Sequence, residues 1–219
     1  MLKAVIYDLD DLMVNSHLLH FKAWELLLKK YNYSYRDLPK EYHAKFIGAR
    51  VIDIAKVIKK TLKIKIDLKV LYKERMEIFI KLVKERLEAM PGLLYSLKLI
   101  RTNNFKIAVA SSGTKEYINI VLDKFGIKDY FDAVVSGDDV KKGKPNPETF
   151  IVACKKLNLK AEECLVLEDA TRGIEAAKRA GCKCIGVENS NTPPQDRSKA
   201  DKIILSLNAL TLDMINNLY

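Results

Sequence analysis

Two hydrophobic rhythms alternate along the chain and predict most of its elements. Short runs that are apolar at nearly every position read as strands buried on both faces. They are Ala4-Val5-Ile6-Tyr7, Lys106 to Ala110, Ala133 to Val135, Cys164 to Leu167, Cys184 to Val187 and Ile203 to Leu205. Between them, apolar residues return at helical spacing over Leu93 to Ile100, Lys115 to Phe125, Pro147 to Leu157 and Thr171 to Ala180. A last helix is expected at the C-terminus, and Gly181 suits the position just past a helix end. Strands joined by helical crossovers predict an α/β fold with a mainly parallel sheet covered on both faces.

The stretch between the first two strands breaks this alternation. Leu18, Leu19, Phe21, Trp24, Leu27 and Leu28 recur at helical spacing, Val51 to Leu62 reads as a second helix, and about Leu68 to Leu87 as a third. Residues 15–88 are therefore expected to form an all-helical insert, with Pro91-Gly92 punctuating its end. The core must then be discontinuous, residues 1–14 with 89–219. Asn189 to Lys199 is the one polar, Pro-containing loop.

Composition narrows the setting. At 219 residues, 48% hydrophobic, the chain has room for one large domain or a core with a smaller insert. No apolar run approaches the roughly 18 residues needed to cross a bilayer. The N-terminal segment turns acidic too soon for a secretory signal, so a cytoplasmic protein without a membrane partner is expected. Cys154, Cys164, Cys182 and Cys184 lack partners at zinc-ligand spacing; the apolar runs around Cys164 and Cys184 favour buried free thiols of a reducing compartment, with metal binding by Cys182-Lys183-Cys184 the weaker alternative. The net charge of +10 is uneven: residues 15–88 hold 18 Lys/Arg against 9 Asp/Glu, and the remainder 20 against 19. Such a surplus can steer an anionic substrate. The favoured reading is a solvated helical surface, and no nucleic-acid partner is expected because aromatic residues do not interleave with the basic ones.

Candidate chemistry sits where the apolar runs stop. Asp8 and Asp10 follow the first strand, Ser111 the second, and Glu168-Asp169 the fourth, with Lys144 just ahead of Pro145-Asn146-Pro147. A carboxylate nucleophile is repelled by a phosphate dianion, so Asp8 needs a bridging cation and an in-line approach. Mg2+ suits a cage of two or three carboxylates, with Glu168 and Asp169 on its far side. Asp10 is placed to protonate the leaving oxygen and then to take a proton from water. Ser111, beside Ser112-Gly113-Thr114 and read as opening a helix, offers a hydroxyl and backbone N–H groups to phosphate oxygens, and Lys144 a point charge. Each element is common alone; their order at successive strand ends points to phosphoryl transfer.

These residues also carry a family resemblance that covers nearly the whole chain. Asp8-Leu9-Asp10, Ser111, Lys144 within Gly143-Lys144-Pro145-Asn146-Pro147-Glu148-Thr149-Phe150, and Glu168-Asp169 followed by Gly173-Ile174-Glu175-Ala176-Ala177 resemble the four motifs of the haloacid dehalogenase superfamily. The similarity is to the branch whose helical cap follows the first strand, which includes β-phosphoglucomutase and small sugar-phosphate phosphatases. It implies a Rossmann-like core with an inserted all-helical cap, an aspartyl phosphate on Asp8, and Asp10 as acid/base that ligates Mg2+ through its main-chain carbonyl. Glu168 and Asp169 complete the implied metal site. Two positions depart from the pattern: Asp11 stands where Gly is common, and Asn15 where Asp is usual.

Substrate choice is expected to lie in the cap. His20, Phe21 and Trp24 resemble the first cap helix of the mutases, with Trp24 favoured as core, and Phe46-Ile47-Gly48-Ala49-Arg50 resembles the specificity loop. The mutases place basic residues where Ile47 and Val51 stand here, so the pattern looks more like a sugar-phosphate phosphatase. His20, Gly48, Arg50, Ser112 and Lys115 are the expected substrate contacts. The expectation is a Mg2+-dependent phosphatase of a small phosphorylated metabolite, monomeric or weakly dimeric. A β-phosphoglucomutase-type mutase is the enzymatic alternative, and a non-catalytic basic binding module the remaining one.

Overall fold

A computed structural model describes residues 1–219. Six strands form one sheet: β1 (Ala4–Tyr7), β2 (Lys106–Ala110), β3 (Ala133–Val135), β4 (Cys164–Glu168), β5 (Lys183–Val187) and β6 (Lys202–Ile204). Every pairing is parallel and the order is β3-β2-β1-β4-β5-β6. Successive strand residues face opposite ways, so each strand feeds two cores. Val5, Tyr7, Ile107, Val109, Leu165 and Leu167 pack on one side against α5 (Leu93–Thr102) and α6 (Lys115–Lys124). Ala4, Ile6, Ala108, Ala110 and Val166 pack on the other against α7 (Glu148–Leu157) and α8 (Thr171–Ala180). Burial on both faces is why these runs show no polar alternation. A short helix, α9 (Leu212–Asn216), closes the chain.

Between β1 and α5 lie α1 (His17–Lys30), α2 (Glu41–Lys45), α3 (Val51–Thr61) and α4 (Leu68–Arg86). Trp24, Leu27, Leu28, Ile54, Ile58 and Leu71 make a cluster of their own there. α3 and α4 match the expected spans within a residue, and α1 contains the apolar positions expected of the first helix. The fourth, α2, was not expected: at five residues it is too short to display a period, and Pro39 precedes it. Nor is the insert sealed from the core, because Phe79, Leu82 and Val83 of α4 join the main apolar cluster beside Tyr117. The strands entering and leaving the insert run side by side, Asn15 N–H donating to Glu88 O at 2.9 Å and Met90 N–H to Met13 O at 2.9 Å. Gly92 starts α5 at φ 87°, where a Cβ would lie 2.3 Å from the Asn208 nitrogen, so the turn after the insert admits no side chain.

All four cysteines are free and buried, as the apolar runs around Cys164 and Cys184 implied for those two. No helix is long and apolar enough to cross a membrane.

Candidate active site

The sheet order reverses at β1. Tyr7 is level with Val109 on one side and Leu167 on the other, so the next residues of the three strands emerge together at one edge. With β2 and β3 on one side and β4 to β6 on the other, a crevice opens beyond the strand ends. Asp8, Ser111, Glu168 and Asp169 converge on it for that reason.

Asp8, Glu168 and Asp169 are buried, and one carboxylate oxygen from each lies within 4.8 Å of the others. Lys144 comes from the loop before α7, and its ammonium bonds to Asp8 and, at 2.7 Å, to Glu168. That loop is tied down by Arg172, whose guanidinium donates to the Lys144 carbonyl at 2.5 and 3.1 Å. Glu168 also accepts the Ala170 N–H at 2.8 Å, ahead of α8. Gly173 makes this possible: a Cβ there would lie 1.5 Å from Glu168 Oε1.

Three carboxylates against one ammonium leave two negative charges out of water. Burial pushes Asp8 well above the usual carboxylate range despite Lys144, and burial with the Glu168 charge does the same to Asp169. Asp169 Oδ2 is buried with no hydrogen-bond partner. An orphaned oxygen in an uncompensated, all-oxygen cluster is what a hard divalent cation would satisfy. For Lys144, burial opposes the charge but Asp8 and Glu168 outweigh it and hold the ammonium protonated.

The side chain of Asp10 does not join this cluster. It faces the insert, where Oδ1 accepts from Ser16 Oγ and Tyr117 OH, both at 2.7 Å, and from His20 Nε2 at 3.4 Å, while Oδ2 accepts from Ser111 Oγ at 3.3 Å. Burial alone would raise this carboxyl; His20, Tyr117 and Ser16 bring it down to about 2. The tautomer of His20 follows from Arg75, which can only donate and does so to Nδ1 at 2.5 Å, leaving the proton on Nε2 for Asp10. Arg75 is buried with no carboxylate partner, its guanidinium over the rings of Phe79 and Trp24 at 4.6 and 5.3 Å.

Several expectations need correction. Ser111 does not open a helix: its N–H donates to Val135 O, the Gly113 N–H is taken by Ser111 Oγ, and α6 starts at Lys115 behind the Thr114 cap. Ser112 and Gly48 meet each other, Ser112 Oγ donating to Gly48 O at 2.9 Å, and both line the cleft with His20. Arg50 is spent on Asp53 at 2.8 Å and on Val140 O at 3.1 Å, a strut between insert and core. Lys115 is exposed and is not in the cleft wall. Asp11, at φ 63°, adopts the left-handed backbone that makes Gly common there. Its carboxylate accepts the Ser16 and His17 N–H groups at 3.0 and 2.7 Å, anchoring the start of α1.

Residues that the sequence did not single out include Tyr117, Arg75, His17 and His43. Arg75 carried a legible signal, since Leu71, Arg75 and Phe79 fall on one stripe of α4 and a charge on a buried stripe is unusual. His17 and His43 carried none.

The haloacid dehalogenase-like hydrolase family model matches residues 5–187, and the chain belongs to that family. It is similar to a phosphorylated carbohydrates phosphatase of Thermotoga maritima, 31% identical over 86% of this chain and 87% of the relative. It is 29% identical to a β-phosphoglucomutase of Bacillus subtilis over 98% of this chain and 94% of that one. A crystal structure of β-phosphoglucomutase from Clostridium difficile superposes with a TM-score of 0.85 at 26% identity, covering 99% of this chain and 96% of the other. The protein is thus a hydrolase of the phosphatase and phosphomutase-like kind.

Proposed function

We propose that the protein is a Mg2+-dependent phosphatase of a small phosphorylated metabolite, a sugar monophosphate by chemistry, with Asp8 as nucleophile. Residues 15–88 act as a cap over a core made of residues 1–14 and 89–219. The supporting observation is the division of labour between two acids two positions apart. Asp8 lies in the buried carboxylate cluster against Lys144, and Asp10 lies on the cap side among neutral donors.

Asp8, Glu168 and Asp169, with the Asp10 carbonyl, are the groups that would hold Mg2+, which neutralises charge on the phosphate and the attacking carboxylate. Lys144 and the Ser111 hydroxyl hold the phosphoryl oxygens. An oxygen of Asp8 bonds to phosphorus as the ester P–O bond breaks, and the departing alkoxide takes a proton from Asp10. Asp10 is ionised while the site is free, and an arriving phosphate dianion raises its affinity for that proton. Water then attacks the same phosphorus and gives a proton to Asp10 as the bond to Asp8 breaks, releasing inorganic phosphate and restoring both acids.

A mutase is the second reading, favoured by the extent of the likeness to β-phosphoglucomutases. Incubation with β-glucose 1-phosphate and a trace of the 1,6-bisphosphate separates the two. Phosphate release that outpaces glucose 6-phosphate formation is expected, and the reverse order rejects the phosphatase. A purified protein that released no phosphate from any ester but retained nucleic acid in a salt-sensitive way would leave only the binding-module reading.

A further inference from the structure

The cleft that begins at Asp8 and Asp10 ends in the cap on a wall of Phe21, Trp24, Tyr35, His43, Phe46 and Ile47. Phe21 meets Tyr35 edge-on at 5.0 Å, and Tyr35 lies against His43 at 5.0 Å, so these three rings form one connected run within the wall. None of the cleft-lining residues is Lys or Arg, although the cap carries 18 of them. The two arginines beside the cleft are committed: Arg50 to Asp53 and Val140 O, Arg75 to His20 and two ring faces. On the floor side, burial, with His20 and His43 nearby, pulls His17 down to about 4, so that imidazole adds no charge at neutral pH. His43 brings instead a ring nitrogen, Nε2, that is shielded from water and unpaired.

A phosphoryl group thus meets a charged floor while the rest of the substrate meets an aromatic wall without lysine or arginine. A second phosphate or a carboxylate placed there loses its water and gains no lysine or arginine partner. A polyol loses little, because its C–H face packs on ring faces and a hydroxyl can pair with an imidazole. Resting on the phosphatase reading, we infer that the leaving group is an uncharged polyol seated on Phe21, Trp24, Tyr35 and Phe46, and that this wall excludes substrates carrying a second anionic group. The basic outer surface of the cap then draws phosphate esters in without distinguishing among them.

The test compares kcat/KM for a hexose 6-phosphate, the hexose 1,6-bisphosphate and 6-phosphogluconate, with acetyl phosphate as a substrate too small to reach the wall. The hexose monophosphate is expected to lead both substrates with a second anionic group by at least about tenfold. Phe21→Ala and Phe46→Ala, both at half-buried positions, should lower the hexose-to-acetyl phosphate ratio about tenfold, and Ile47→Lys should raise the bisphosphate-to-monophosphate ratio similarly. Equal or better turnover of the bisphosphate or of 6-phosphogluconate by wild type overturns the inference, as does a hexose-to-acetyl ratio that the aromatic variants leave unmoved. The same ligands titrated calorimetrically into Asp8→Asn supply a readout without turnover, and tighter binding of either doubly charged ligand overturns it there too. Absence of phosphate release from every ester, acetyl phosphate included, would instead count against the phosphatase.

Discussion

Asp8 and Asp10 are separated by one residue, yet their surroundings push them in opposite directions. Asp8 is raised by burial among other carboxylates, while Asp10 collects neutral donors from Ser16, His20 and Tyr117 and stays ionised. Such a split lets one acid attack phosphorus and the other handle protons. Asp8→Asn removes the nucleophilic oxygen, and phosphate release is expected to fall by more than about three orders of magnitude. Hydrolysis at a tenth of the wild-type rate would contradict a covalent route. Asp10→Asn should differ in kind: p-nitrophenolate leaves without a proton, so p-nitrophenyl phosphate should give a burst of one equivalent followed by turnover slowed about 10²–10⁴-fold. The six core residues behind these expectations were legible because each follows an apolar run or sits in a fixed local motif. His43 was not, because it stands on α2, five residues long, and reaches the cleft only through tertiary packing. For Arg50 the pairing with Asp53, three positions on, lies within reach of helical spacing, whereas its bond to the Val140 carbonyl, 90 positions away, left no trace in the sequence.

At the scale of elements, the strand ends matter more than the strands. Glu168 is the last residue of β4 and folds back onto the first turn of α8, where its carboxylate takes the Ala170 N–H and lies against Gly173. The helix and the carboxylate therefore compete for one volume, and glycine decides it. Gly173→Ala costs the helix nothing by propensity and should favour it by about 1 kcal/mol. A Cβ 1.5 Å from Glu168 Oε1 must nevertheless displace that carboxylate. The expected outcome is a folded protein with at least about tenfold weaker Mg2+ activation, read as the Mg2+ concentration for half-maximal phosphate release. Wild-type activation would show that Glu168 does not need its place. The sequence displayed Gly173 but not this reason for it, since periodicity reports which face is buried and not what presses on it. Strand positions were legible to within a residue because burial on both faces leaves unbroken apolar runs, and α6 starts at Lys115 as expected, but Ser111 was misread as opening it because of the turn that Ser111 and Gly113 make first.

For the whole molecule, the cluster at the strand ends links folding to cation and pH. Asp8 and Asp169 bind protons more tightly in the folded chain than when unfolded, since burial raises both. Their contribution to stability is therefore present below the ordinary carboxylate range and is lost as pH rises through the raised values. A divalent cation held there would bind the ionised forms and remove that penalty, so the stabilisation it gives should grow with pH. His17 has the opposite sign, being lowered to about 4, and weakens the fold as pH falls. It lies outside the carboxylate cluster, acts with or without the cation, and cancels in the difference. The measurement is the melting temperature in Mg2+ minus that in EDTA, taken by calorimetry between about pH 5 and about pH 8. With Mg2+ at a hundred times its dissociation constant, the gain is about 2.7 kcal/mol, or roughly 5–10 °C for a chain of this size, at the alkaline end. It should shrink toward zero at the acid end, where protons do the work of the cation. A difference that was absent throughout, or larger at acid pH, would mean that these carboxylates do not share one ion.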